Sequence, residues 1–419
     1  MTQRIRPGTA AAIALLLAAA TGCTGQQHPA PAPSGPPAAA RGAGGQDADG
    51  PRPFTLLAAG DVLPHSSVID QAAADAGGAG YDFAPMLAGV APVVSGADLA
   101  FCHMETVYGK EGGPYTGYPS FKSPPEVAAA LRATGFDSCS TASNHTLDDG
   151  AEGVSRTLGA LDEAGIRHAG SARTAAEAAR PTILPAGPGK GAAKVAHLAY
   201  TYGTNDIPLP AGRPWTVNVT DEHKIVEEAR AARRAGADVV VLSAHWGTEW
   251  QDEPDAQQLE LARRLTASAD RGRPDIDLII GTHAHVPQAY EKVNGTWVGH
   301  TPDGRERRAE MSDSGTWVVY GMGDQIAGDM INGQGERDPR GNEGTMARFT
   351  FAPPAKAGGR WMIQKAEFVP TWYETRTGRT VNLNAAIKAG RDDLTAIRDR
   401  IRDVVLSRGA AEAGLRMGE

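Results

Sequence analysis

Leu278-Ile279-Ile280-Gly281-Thr282-His283-Ala284-His285 runs from a short apolar segment straight into two histidines. An apolar run of this length, closed by glycine, reads as a buried strand. Polar residues just past its carboxyl end stand where open α/β sheets bind ligands. The same punctuation recurs along the chain. Residues 54–59 lead into Gly60-Asp61-Val62-Leu63-Pro64-His65, and residues 99–104 carry His103 and are followed by Glu105. Residues 136–141 lead into Ser143-Asn144-His145 and Asp148-Asp149-Gly150, and residues 239–243 into His245-Trp246-Gly247-Thr248-Glu249.

Amphipathic helical stretches separate these runs, at residues 86–95, 126–133, 151–164, 221–235 and 255–269, with a further apolar run at 194–199. Strand–helix alternation of this kind predicts an α/β fold with largely parallel strands. Residues 316–320, 347–351 and 361–370 have no helices between them and are expected to pair antiparallel. Residues 383–407 read as a charged peripheral helix within a C-terminal tail (376–419). No internal repeat is found.

Asp61, His65, Glu105, Asn144, His245, His283 and His285 all fall at such strand ends. Singly, each has a plain reading as a helix cap or a satisfied side chain. Together they converge on one sheet edge, where burial without a partner is costly. A divalent metal is the natural partner. Oxygen and nitrogen donors without thiolate suit zinc, manganese or iron. Seven candidates exceed the needs of one tetrahedral ion, which favours two ions about 3.5–4 Å apart. In an extended segment His283 and His285 face the same side, to share one ion or divide between two.

The bulk properties narrow the class. The 419 residues carry a formal net charge of -8 and no basic stripe, which argues against a nucleic-acid partner. Three cysteines, Cys23, Cys102 and Cys139, exclude a disulfide-framework protein. Arg4 and Arg6 precede an apolar stretch at 10–20 and then Ala20-Thr21-Gly22-Cys23. This is the pattern of an export signal (1–22), with Cys23 placed as in a bacterial lipobox; a plain cleaved signal is the alternative. Residues 23–53 are rich in Pro, Ala and Gly and read as a flexible tether. The expected location is extracytoplasmic, anchored to the membrane by lipid on Cys23, with the folded domain at 54–375.

In this order the residues resemble the CapA family of poly-γ-glutamate capsule biosynthesis proteins, within the calcineurin-like metallophosphatase superfamily, from about residue 54 to 327. The motifs are Gly60-Asp61 with His65, Gly135-Phe136-Asp137 leading to Asn144-His145 and Asp148-x-Gly150, His245-Trp246-Gly247 with Glu249, and Gly281-x-His283-x-His285. Pro124-Pro125-Glu126-Val127 and Tyr202-Gly203-Thr204-Asn205 match as well. The resemblance implies a sandwich of two β-sheets flanked by helices. It implies Asp61, Asn144, His245, His283 and His285 as ligands, Glu105 as a bridging carboxylate, and His65 as a further ligand. It also implies His145 as general acid, with Asp148 either orienting it or capping a helix.

Three positions depart from the family pattern. His103 stands where asparagine usually precedes the glutamate, Ala284 replaces proline, and Asp324 replaces an asparagine after Tyr320. Lys122, Arg173 and Glu249 are candidate substrate-binding residues; for the two cations a solvated loop position is the plain alternative. Cys102 and Cys139 can pair or remain buried thiols. The implied function is an exported metal-dependent hydrolase acting on an anionic envelope polymer or a phosphoester, alongside membrane-bound synthesis or export subunits. A non-catalytic polymer-binding scaffold and a general surface phosphoesterase are the alternatives.

Overall fold

Why Leu278, Ile279 and Ile280 are all apolar is answered by their neighbours in a computed structural model, which describes residues 50–187, 189, 191–294, 315–356 and 358–419. The expected signal, Cys23 and all but the end of the expected tether lie outside the described residues. In chain order the strands are β1 (Phe54–Val62), β2 (Leu99–Met104), β3 (Ser138–Ser140), β4 (Arg167–Ala169), β5 (Thr182–Ala186), β6 (Ala193–Thr201), β7 (Val239–His245), β8 (Ala269–Asp270), β9 (Arg273–Pro274), β10 (Leu278–Thr282), β11 (Tyr290–Val293), β12 (Thr316–Val319), β13 (Asp324–Ile326), β14 (Glu343–Ala352), β15 (Met362–Glu374), β16 (Arg379–Asn382) and β17 (Leu415–Met417). Among the described residues, nine form one sheet in the order β16-β15-β14-β1-β2-β3-β4, with β13 on β1 and β17 on β15. Six form a second, β11-β12-β10-β7-β6-β5, and β8 pairs with β9.

Leu278 and Ile280 point into a core shared with Leu56, Ala58 and Phe101 of the first sheet. Ile279 points the other way, onto Ile225, Ala229 and Leu265 of the helices Glu222–Arg234 and Ala256–Ala267. On β1, Leu57 and Ala59 likewise turn outward to Val68, Met86 and Leu131. Strands buried on both faces must be apolar throughout, and each such Leu or Ile contributes about 1.5–3 kcal/mol. The result is the expected sandwich of two sheets with helices on the outer faces.

Two details differ from the sequence reading. The helix expected at 86–95 is two short ones, Ala84–Leu87 and Ala91–Ser95. At Gly89 between them, a Cβ would lie 2.5 Å from the Thr380 carbonyl oxygen, so β16 passes too close for a side chain. β12 runs antiparallel to β11 but parallel to β10, extending the second sheet rather than joining an antiparallel block. β14 and β15 are antiparallel as expected.

The presumed tail is part of the core. β16 and β17 both pair with β15, and Leu394, Ile401 and Val405 are buried against the inter-sheet cluster with Ile397 packed beside them. Spacings of three and four put these apolar residues on one helical stripe despite the charges between them.

Candidate metal centre

The strand ends deliver the side chains. Asp61, near the end of β1, is in register with His103 on β2 and with Asp324 on β13. His245 closes β7 opposite Thr282 of β10. Such close approach demands glycine just before the donors. A Cβ on Gly60 would lie 1.9 Å from the Gly323 carbonyl oxygen, and one on Gly281 would lie 2.0 Å from that of Tyr320.

Among the described residues four overlapping triads bring one donor atom each within 4.8 Å of one another: Asp61, His103 and His245; Glu105, His245 and His283; Glu249, His283 and His285; Asp61, His285 and Asp324. Second contacts orient the rings, as metal-ligating imidazoles require. His103 Nδ1 meets Ser140 Oγ at 2.7 Å, and His285 Nδ1 meets Asp324 Oδ1 at 3.1 Å. His245 Nδ1 meets Thr282 Oγ1 at 2.9 Å while its Nε2 faces Asn144 Oδ1 at 2.9 Å. Asp61 Oδ2 accepts from the His283 N–H at 2.9 Å.

β10 ends at Thr282, and both His283 (φ 96) and His285 (φ 58) are left-handed. The pair therefore does not share a face by strand alternation, as the sequence reading assumed. It converges through two strained backbone positions, a feature that clusters at functional sites.

The donor set fits divalent metal. Asp61 Oδ1, both Glu105 oxygens, Asp324 Oδ2, His65 Nε2, His103 Nε2 and His283 Nδ1 are buried with no hydrogen-bond partner. Native interiors rarely leave so many polar atoms unsatisfied in one place. Burial pushes Asp61 up to about 8, with the Asp324 charge adding to the effect. Glu105 is driven well above the carboxylate range by burial and then by Asp61. Burial lowers His103 to about 3 and His245 and His283 well below the ordinary imidazole range. Burial opposes charge on His285 as well, but Asp324, Glu105 and Asp61 outweigh it and raise that imidazole. Neutral imidazoles among crowded carboxylates are the state that a cation binds and stabilises.

His145 follows Asn144 directly. Its Nδ1 donates to Asp148 Oδ2 at 2.7 Å, and the same oxygen accepts from the Phe121 N–H at 2.7 Å. Asp148 is thus an orienting carboxylate and not a helix cap; the helix Gly150–Ala164 starts after Asp149. Phe121 packs its ring against His145 at 4.7 Å and His65 at 5.1 Å. His65 is pushed down to about 4 by burial and then by His285 and His145, and belongs to none of the four triads. Tyr202 lies over His283 at 4.5 Å and Trp250 beside His285 at 6.0 Å. Trp246 packs inward, its Nε1 donating to the Tyr320 carbonyl.

The other candidates are placed differently. Lys122 directs its ammonium to Asp149, 3.1 Å away. Arg173 is held by Glu177 and, at 2.8 Å, by Asp162, and lines a separate cavity. Glu249 is exposed but joins His283 and His285 as a donor. Cys102 and Cys139, register partners on β2 and β3, form a disulfide.

The sequence matches the family described as bacterial capsule synthesis protein PGA_cap over residues 55–329. The chain belongs to this family. It is 26% identical over 218 residues to the PGA biosynthesis protein CapA of Bacillus subtilis, covering 48% of this chain and 54% of that protein. It is 27% identical over 170 residues to the capsule biosynthesis protein CapA of Bacillus anthracis, covering 40% and 39%. A probable polyglutamine synthesis accessory protein of Mycobacterium tuberculosis is 25% identical over 205 residues, covering 47% and 52%. The chain thus matches about half the length of these relatives or less. Among solved structures it is similar to the calcineurin-like phosphoesterase YfkN of Bacillus subtilis, with TM-score 0.41 and 15% identity over 83% of this chain and 99% of that one.

Two members of the donor triads are absent from the candidate ligands drawn from the sequence. His103 and Asp324 register only as departures from a motif, and their shared register with Asp61 emerges from strand pairing alone.

Proposed function

We propose that this capsule synthesis family member is an exported, metal-dependent hydrolase acting on an anionic envelope polymer or a phosphoester intermediate of its assembly, with His145 as proton donor. The observation that carries the reading is the His145–Asp148 hydrogen bond, 2.7 Å long, beside Asn144 of the donor cluster. A structural metal site has no use for an oriented proton donor at its rim.

Asp61, Glu105, Asn144, His245, His283 and His285 would hold the ions, with His103, Asp324 and Glu249 as additional donors this chain provides. Two ions, of manganese, zinc or iron, fit so large a set. A divalent ion bound there supplies Lewis-acid chemistry at the oxygen of the bond being cut. The protein's own part is positional. Asp148 holds the His145 Nδ1–H, which leaves Nε2 as the nitrogen that passes a proton to the leaving group. Phe121 fixes the plane of that ring, and Tyr202 forms one wall above His283. The buried disulfide favours an oxidising compartment and supports export, with lipid on Cys23 as the anchor and membrane-bound synthesis subunits as neighbours.

The test is elemental analysis of the full-length protein, followed by assays with manganese or zinc on phosphodiesters and on γ-linked polyglutamate. Two ions per chain and turnover of one substrate class are expected, with His145→Ala reducing turnover roughly 10²–10⁴-fold while retaining the ions. Absence of turnover on both classes would leave a polymer-binding scaffold instead.

A further inference from the structure

Arg173, the candidate substrate cation that does not reach the metal centre, lines a cavity of about 420 Å³ between β4, β6 and the helix Glu222–Arg234. That volume lies within the range of small-molecule sites. None of the metal-donor residues lines it. Its charged groups fall into two sets. Asp162 and Glu177 are engaged by Arg173, and His168 Nε2 stands 3.3 Å from Asp162. Glu228 is half-buried, with Lys224 near it.

The second set has no partner. Arg167 and Arg180 line the cavity from its solvent-exposed rim and form no ion pair or side-chain hydrogen bond among the described residues. Trp215, also in the lining, has its indole Nε1 buried with no acceptor. Indole nitrogen is a donor only, and guanidinium groups are donors only. The buried Trp215 N–H lacks an acceptor, and the two rim guanidiniums, exposed to solvent, are free to add charge-assisted hydrogen bonds to the same acceptor, preferably an anionic one.

We propose that this cavity binds a carboxylate-bearing polymer segment, with Arg167 and Arg180 gripping a carboxylate and the Trp215 N–H donating beside it. The choice of carboxylate over phosphate follows from charge. Three arginines and three carboxylates line the cavity and leave it no excess positive charge, so a singly charged carboxylate meets less repulsion there than a phosphate dianion would. The flat indole also offers a surface to the amide plane between successive carboxylates. The ligand's identity rests on the polymer side of the proposed function, not on hydrolysis. The cavity would hold the chain at a distance from the metal centre.

The test titrates the full-length, ion-loaded protein with a γ-linked glutamate tetramer, free glutamate and inorganic phosphate by calorimetry. The tetramer is expected to bind, and Arg167→Ala/Arg180→Ala to weaken it tenfold or more, as loss of charge-assisted hydrogen bonds predicts. Trp215→Phe, which keeps a ring and removes the N–H, should weaken it severalfold. Turnover of a small phosphodiester should be unchanged in the double arginine variant. Tetramer binding that survives the double variant, or no tetramer binding at all, overturns the proposal. Phosphate binding as tightly as the tetramer, and lost in the same variant, overturns the carboxylate assignment. A wild-type protein that binds the tetramer yet hydrolyses nothing sinks the hydrolase reading and leaves this site standing.

Discussion

Asn205 Oδ1 accepts a hydrogen bond from Asn144 Nδ2 at 3.2 Å, and so decides which end of the Asn144 amide faces His245. Asn205 (φ 48) and Asp206 (φ 59) are consecutive left-handed residues, a conformation that costs energy outside glycine. Asn205→Gly keeps the backbone comfortable and removes the acceptor, whereas Asn205→Asp keeps an acceptor. Ion affinity, measured by chelator competition, should fall about 10–100-fold in the glycine variant, as for other outer partners of metal ligands, and recover in the aspartate variant. A glycine variant that binds ions like wild type would show that Asn205 does not position Asn144.

The Asp148 carboxylate serves His145 and the Phe121 backbone with one oxygen. Asp148→Asn preserves size but offers the ring an amide, which can hold the wrong tautomer. Turnover should drop by two orders of magnitude or more, within the range for general acid–base catalysis, while ion content stays at the wild-type value. Loss of ions together with activity would point to a structural collapse of the loop at Phe121 instead.

How much of this was legible follows from distance along the chain. Apolar runs ending in Asp61, His245 and His283 announce strands with donor groups gathered at their ends because strand burial and strand-end placement are local rules. The stripe formed by Leu394, Ile397, Ile401 and Val405 was equally local, yet intervening arginines and aspartates hid it. Asp324 was beyond reach. Its place beside Asp61 comes from β13 pairing with β1 across more than two hundred and fifty residues, and no local pattern encodes that. Arg173 failed for the opposite reason, since its loop resembles a substrate loop while Glu177, four residues on, holds its charge.

Cys102 and Cys139 are 37 residues apart and lie beside His103 and Ser140, the pair that orients one donor ring. Closing a loop of this length restricts the unfolded chain by about 3–4 kcal/mol in the entropic account. Reduction, or Cys102→Ala/Cys139→Ala, should lower unfolding free energy by roughly 2–4 kcal/mol in denaturant titration. The alanine pair should then be insensitive to reductant. If reductant destabilises the alanine pair as much as wild type, the disulfide is not the cause.

Glu343 tests the electrostatics away from the metal centre. Arg400 Nε stands 3.2 Å from its Oε2 without hydrogen-bonding it, and burial pushes the carboxyl up to about 7 in spite of that neighbour. The unfolded side chain titrates near 4.5. Between these values the native protein keeps a proton that the unfolded chain has released, so stability falls as pH rises through that window and levels off above it. The contribution is on the order of 3 kcal/mol as an upper bound. Glu343→Gln cannot ionise. Its melting temperature relative to wild type should therefore climb between pH 5 and pH 7, roughly the window the two pKa values set, and hold steady above it. A difference that is constant across that range would mean Glu343 is already ionised in the folded protein at acid pH, with Arg400 overcoming burial.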